Sequence, residues 1–278
     1  MSGSKSLLGY LPRESPVHNL TGATKLIMTI LCSIASMITY DTRFLLGMIV
    51  LAAIMFRVSK VKIRDISFIL KLVVVVMLLN AVIIFLFSPE EGVKIYGTRH
   101  EIAHLIGRYT VTKEQLFYLF NVILKYFSVL PMALIFITTT QPSEFASSLN
   151  KLGVSYKVAY SVALALRYIP DVQKDFREIS QAQQARGVDV SKNVGLFTRL
   201  RNTAAILLPL LFSSLDRIDT ISNAMELRGF GKHDKRTWYS AVPFKVSDFI
   251  AMGACVVLVV ISLSLNFVNG GRYYNPFI

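Results

Sequence analysis

Ile179-Ser180-Gln181-Ala182-Gln183-Gln184-Ala185-Arg186-Gly187 recurs as Ile221-Ser222-Asn223-Ala224-Met225-Glu226-Leu227-Arg228-Gly229, two copies of I-S-x-A-x-x-x-R-G. At helical spacing the Ile and the Arg of each copy share a face. The stripe extends backward as Val172, Phe176, Ile179, Gln183 and Arg186 in the first copy, and as Ser214, Ile218, Ile221, Met225 and Arg228 in the second. Each helix ends at a glycine, the residue that most readily takes the left-handed backbone past a C-terminus. One Arg-Gly ending is an ordinary helix stop, because Arg in a last turn complements the helix dipole. Two endings with a matched Ile-Ser-x-Ala lead-in ask for more. A solvent-facing Arg normally falls on the polar side of its helix. These two fall on the largely apolar side, which implies a surface that another molecule covers. A pair of similar tips implies a pair of similar partners. Ala182 and Ala224, the small residues of the lead-in, are read as helix-packing positions.

The rest of the chain places those helices against a membrane. Of its 278 residues, 53% are hydrophobic and only 17% charged, and the mean hydropathy is +0.52. That is too apolar for an ordinary soluble domain, and several runs are long enough to span a bilayer. The net charge of +13 is spread through membrane-flanking segments. It is better explained by orientation in the membrane than by nucleic acid. Cys32 and Cys255 each sit inside an apolar run, without metal-like or disulfide-like spacing, and read as packing residues. Residues Met1 to Lys25 lack the apolar core and cleavage site of a signal peptide.

Residues 26–39 and 44–56 read as a helical hairpin with a tight turn at Tyr40-Asp41-Thr42-Arg43; a re-entrant pair stays open. The basic run Arg57-Val58-Ser59-Lys60-Val61-Lys62-Ile63-Arg64 is expected inside. Residues 66–87 form the clearest span, in which Lys71 can snorkel and Asn80 can bond a neighbouring helix. Residues 88–114 balance four bases against four acids and are expected as an outer surface loop, although His100 and His104 have the spacing to pair on one helix face around a metal. The next span, 116–138, is expected to be interrupted at Pro131. Its Lys125 is an intramembrane charge, a functional candidate by default, with a snorkelling or pairing role weighed above an ion path. Residues 249–268 make the last span, followed by a short outer tail. The expected architecture is all-α and polytopic: about five transmembrane helices plus long cytoplasmic helices. Residues 1–140 form the N-terminal membrane region, 141–244 the cytoplasmic helical region, and 245–278 the last span and tail.

From Gln141 to Asp248 the character changes, with fifteen bases and ten acids among apolar helical runs. Gln141-Pro142-Ser143-Glu144 opens a helix and Gly153 marks a turn. One helix is expected from about Ser155 to Arg186, bent or broken at Pro170. A second is expected from about Val194 to Arg228, with its own hinge candidate at Pro209. Helices this long suggest a cytoplasmic platform.

No G-x-x-x-x-G-K-[ST] loop, H-E-x-x-H, G-x-S-x-G or intramembrane carboxylate pair is present, so no cofactor, metal or catalytic residue is assigned. Two readings from different classes remain: a scaffold that couples other subunits, and a stand-alone channel or secondary transporter with a polar path through Lys125, Asn80 and Lys71. Transporters of the second kind often repeat their membrane spans; here the repeat lies in the platform.

Ala185-Arg186-Gly187 and Leu227-Arg228-Gly229, each closing a long helix, resemble the paired signatures of the transmembrane T component (EcfT/CbiQ-type) of energy-coupling factor transporters. Thr140-Gln141-Pro142-Ser143-Glu144, Leu164-Ala165-Leu166-Arg167-Tyr168-Ile169-Pro170 and Gln183-Gln184-Ala185-Arg186-Gly187 are similar to that family as well. The motif-bearing match covers about residues 138–231; the N-terminal spans agree in pattern. Leu227 departs from the frequent Ala. The resemblance implies a non-catalytic subunit of a prokaryotic plasma membrane and makes residues 141–244 its coupling region; the basic flanks orient it, with N-terminus and platform inside and C-terminus outside. It also implies partners: two ATP-binding-cassette ATPases, and one membrane-embedded S component that binds a vitamin or metal ion.

Overall fold

The computed structural model describes residues 13–104, 110–188, 195–233, 237–239 and 241–277, without the side chains of Asp65 and His104. The chain divides into two compact units, one of residues 1–141 with 242–278, the other of residues 142–241.

The first unit contains α1 (Gly22–Ile38), α2 (Thr42–Ser59), α3 (Ile63–Phe87), α4 (Glu91–Tyr96), β1 (Glu101–His104), β2 (Thr110–Thr112), α5 (Lys113–Thr139) and α9 (Val246–Val268). Among the described residues four helices, α2, α3, α5 and α9, are long and apolar enough to cross a membrane, and α1 is a shorter apolar helix of 17 residues. At 1.5 Å per residue α1 is about 25 Å long, near the lower limit for a span. Helix α1 packs on α9 and α5, and α2 packs on α5. Small residues allow the approach: Ala35 is fully buried, and its carbonyl accepts from Ser262 Oγ at 2.7 Å. Close backbone approach with a hydroxyl bond across is how helices associate where lipid offers no hydrophobic gradient. Around this seam lie Phe44, Met48, Ala52, Met132 and Ile135. Helix α3 is apolar on nearly every side, and Val75, Leu79 and Phe87 stay exposed. An all-round apolar helix with few buried positions fits a lipid surround.

Buried polar bonds tie the helix ends into two layers. At one end Asp248 accepts from Thr21 N at 2.9 Å and Lys245 N at 2.7 Å. There the buried Lys25 also donates to the carbonyls of Thr139 and His18, at 3.0 and 3.2 Å. At the other end the tail after α9 is fastened down: Asn269 Nδ2 donates to Asp41, Arg272 Nε donates to Ile38 O, and Asn275 Nδ2 donates to Tyr96 O. Tyr40 and Tyr273 stack with centroids 4.7 Å apart.

Several expectations are corrected here. Residues 88–114 are not a plain loop: they hold α4 and the antiparallel pair β1–β2. Helix α5 runs through Pro131 without interruption. A proline removes one hydrogen bond of the ladder, a cost of about 3 kcal/mol, and the packed neighbours Met132, Leu134 and Ile135 keep the helix together. Cys32 and Cys255 are buried free thiols packed in the core, as expected, and although distant in sequence their Sγ atoms lie 3.7 Å apart.

The second unit contains α6 (Pro142–Lys151), α7 (Tyr156–Ala185) and α8 (Leu196–Leu227). Proline at the first position of α6 needs no N–H partner. Gly153, at φ +96°, turns the chain into α7, which Ser155 caps by accepting from Val158 N. Helix α7 runs unbroken through Pro170, and α8 through Pro209; neither proline is a break.

Candidate functional site at two helix tips

The repeated sequence folds into a repeated turn. At the end of α7, Arg186 sits at φ −88°, ψ 7°, and at the end of α8, Arg228 sits at φ −84°, ψ 7°. Gly187 and Gly229 follow with φ +84° and +67°. Gly187 N donates to Gln184 O and Val188 N to Gln183 O, both at 3.0 Å; Gly229 N donates to Glu226 O at 2.8 Å and Phe230 N to Met225 O at 2.9 Å. This paired bonding closes a helix by a Schellman turn and satisfies its last carbonyls. A Cβ at either glycine would meet nothing within 4 Å, so the positive φ, not crowding, selects glycine there. Arg186 and Arg228 are both exposed, as are Ala185 and Leu227, the latter at 89%.

The two helices meet behind the tips. Arg217 Nη2 lies 2.6 Å from Asp175 Oδ2, a pair one-quarter to one-third exposed, with Tyr168 under the same guanidinium at 5.9 Å. Each partner is 11 residues before its tip Arg (186 − 175 = 11; 228 − 217 = 11). The meeting point is therefore equidistant from both tips, about 16 Å along each helix. The far end of α8 returns to the start of α7. Phe230 lies 5.4 Å from Tyr156 and 5.0 Å from Tyr160, ring centre to ring centre. The helices thus run in opposing directions, and the tips stand about 30 Å apart, on opposite sides of the Asp175–Arg217 meeting point.

The stripe from the sequence is corrected in part. Val172, Ile179 and Gln183 on α7, and Ser214, Ile221 and Met225 on α8, are half-buried, in line with Asp175 and Arg217. Much of the stripe is the seam between the two helices, and only the tips project beyond it. Phe176 and Ile218 remain 38% and 55% exposed. Ala182, Ala224, Pro170 and Pro209 are all exposed.

Two features were not read from the sequence. One is the opposed charge pair at equivalent places in the two copies, whose signal was its equal spacing from each Arg. The other is an apolar row on α8, Phe197, Leu200, Leu208, Leu211, Phe212 and Leu215, from 54% to 85% exposed. Its signal was helical spacing over about five turns.

The remaining candidates lie elsewhere. Lys125 Nζ donates to Met37 O at 3.0 Å and sits 3.5 Å over the Tyr40 ring; with Arg272, which also donates to Met37 O, it caps the C-terminus of α1. Asn80 is half-buried and Lys71 exposed, both on α3. His100 and His104 share no helix, since His104 is in β1. His100 instead bonds the buried Glu114 through Nδ1 at 2.6 Å. Among the described residues no three His, Cys, Asp or Glu side chains are grouped to hold a metal ion.

A multi-pass helical membrane protein carrying a separate unit of two crossed helices with matched cationic ends is the class these features define. The family described as "Cobalt transport protein", CbiQ, matches residues 13–239. The energy-coupling factor transporter transmembrane protein EcfT of Clostridium kluyveri is 27% identical over 262 residues, 91% of this chain and 94% of the relative. EcfT of Leuconostoc gelidum subsp. gasicomitatum is 27% identical over 267 residues (91% and 93%), and that of Lacticaseibacillus paracasei 29% over 265 residues (91% and 96%). The chain belongs to this family, as a transmembrane T component of an energy-coupling factor transporter.

Proposed function

We propose that the chain is the non-catalytic scaffold of its transporter, joining two ATP-binding-cassette ATPases to one membrane-embedded S component that carries a vitamin or metal ion. The observation that carries the reading is the duplicated Schellman turn, with one exposed guanidinium on each copy. A guanidinium makes paired bonds to a carboxylate in one fixed geometry. Presented at a rigid helix end, it is a directional latch for an acidic groove on an ATPase. Two latches about 30 Å apart on one pair of helices suit two subunits that move relative to each other, and the Asp175–Arg217 crossing is where their motion is shared. The exposed apolar row of α8 is the seat for the S component, whose own lipid-facing surface is apolar.

Orientation follows from charge. Arg57, Lys60, Lys62, Arg64 and Lys245 flank the bundle end tied together by Asp248 and Lys25. The positive-inside rule makes that end cytoplasmic. The N-terminus and the coupling unit are then inside a prokaryotic cell and the C-terminal tail outside.

The test is co-purification and uptake. Removing one partner of a buried charge pair costs about 2–5 kcal/mol, so Arg186→Ala and Arg228→Ala each reduce ATPase association and substrate uptake. Normal uptake by the double variant refutes the latch.

A further inference from the structure

The two tips share a turn but not the residues that follow it. Phe230, the residue after Gly229, enters an aromatic group made by Tyr156, Tyr160 and Trp238. Phe230 lies 5.4 and 5.0 Å from the two tyrosine rings, and Trp238 lies 6.0 and 6.1 Å from the same two. Trp238 Nε1 donates to Asn150 Oδ1 at 3.0 Å, and Asn150 Nδ2 donates to Val154 O at 2.9 Å. The chain leaving the Arg228 turn is thus bonded to the α6–α7 corner at several points. Gly231, at φ +83°, makes the bend that turns it there. Within the turn itself, Phe230 and Met225 are the residues whose apolar contact commonly reinforces a Schellman motif. The equivalent pair at the first tip is Val188 and Gln183. Residues 188–195, which follow the first tip, contain no aromatic side chain.

We propose that the two latches grip unequally: the aromatic brace holds Arg228 ready for its ATPase, and a first ATPase subunit therefore binds at Arg228 more tightly than a second binds at Arg186. This rests on the coupling function proposed above. The physical ground is preorganisation. A latch already ordered loses less conformational freedom on docking than one that must be ordered by its partner. Phe230, Tyr156, Tyr160, Trp238 and Asn150 are then positioning residues, which act on the ATPase through Arg228 without touching it.

The experiment titrates the full-length chain in detergent, without nucleotide, with the ATPase subunits co-purified from its native membrane. Native mass spectrometry counts one-ATPase and two-ATPase complexes, and surface binding supplies the two affinities. The wild type shows two dissociation constants separated by roughly tenfold, the scale set by ordering one or two side chains. Arg186→Ala abolishes the weaker step and keeps the tighter; Arg228→Ala does the reverse. Phe230→Ala brings the tighter step down to the weaker one, and Phe230→Tyr, which keeps a ring, restores the separation. If Phe230→Ala does not fold, Trp238→Phe, which loses only the bond to Asn150, narrows the separation in its place. Fluorescence of Trp238, the single tryptophan, reports the brace directly and shifts to the red in Tyr160→Ala. Two equal wild-type constants, or an equal weakening of both steps by Phe230→Ala, overturn the unequal grip while leaving the coupling role standing. A wild-type chain that takes up no ATPase at all overturns both.

Discussion

Reversing Asp175 and Arg217 tests whether one ion pair sets the crossing of α7 and α8. Their closest approach is 2.6 Å, with side chains 23% and 33% exposed. Charge centres about 4 Å apart attract by about 4 kcal/mol at the effective dielectric of a partly buried site. Desolvation and the ordering of two side chains offset most of that, and partial exposure reduces it further. A net of about 1–2 kcal/mol remains. Asp175→Arg alone places two guanidinium groups on the seam, and Arg217→Asp alone places two carboxylates there. Each single variant is expected to raise amide exchange along the seam, at Ile179 and Ile221 (half-buried), by roughly 5- to 30-fold, the factor that 1–2 kcal/mol sets in a local opening equilibrium. The double exchange, Asp175→Arg with Arg217→Asp, returns the opposite charges and most of the protection. Hydrogen exchange read by mass spectrometry follows both helices in one experiment. Exchange as fast in the double variant as in the singles refutes the argument that the pair, rather than apolar packing alone, registers the helices.

Two other outcomes follow from the same geometry. At Gly187 and Gly229 the left-handed φ costs a residue with a Cβ about 1–2 kcal/mol, and the space beyond is open. Gly→Ala at either position is expected to weaken ATPase co-purification, with Gly→Asn, which visits that backbone more readily, intermediate; equal behaviour of Ala and Asn contradicts a conformational cause. Lys125→Ala takes one of two cations from the Met37 carbonyl and is expected to cost about 1–3 kcal/mol, lowering the melting temperature in detergent while substrate selectivity is unchanged. Altered selectivity in that variant instead supports a transport path through Lys125.

Periodicity made the class of fold legible, because the 3.6-residue repeat and apolar runs of span length are local properties. The tips were legible for a related reason: a Schellman turn is decided within six residues, and a helix C-terminus needs a left-handed residue wherever it occurs. Pro131 misled, because a sequence shows the missing N–H but not the neighbours that hold α5 together. Residues 88–114 misled because β1 and β2 are short and their pairing is not a local property. The histidine spacing promised a helical pair that tertiary folding replaced with the His100–Glu114 bond.

By itself the amino-acid order determined that the chain is a helical membrane protein, where its long helices end, and that two of them end alike. Only the folded chain decided that Asp175 meets Arg217, that Cys32 meets Cys255, that Lys125 caps α1, and that Phe230 closes on Tyr160. Each of these joins residues through contact between elements, and such contacts depend on how the helices pack, which no window of local spacing contains.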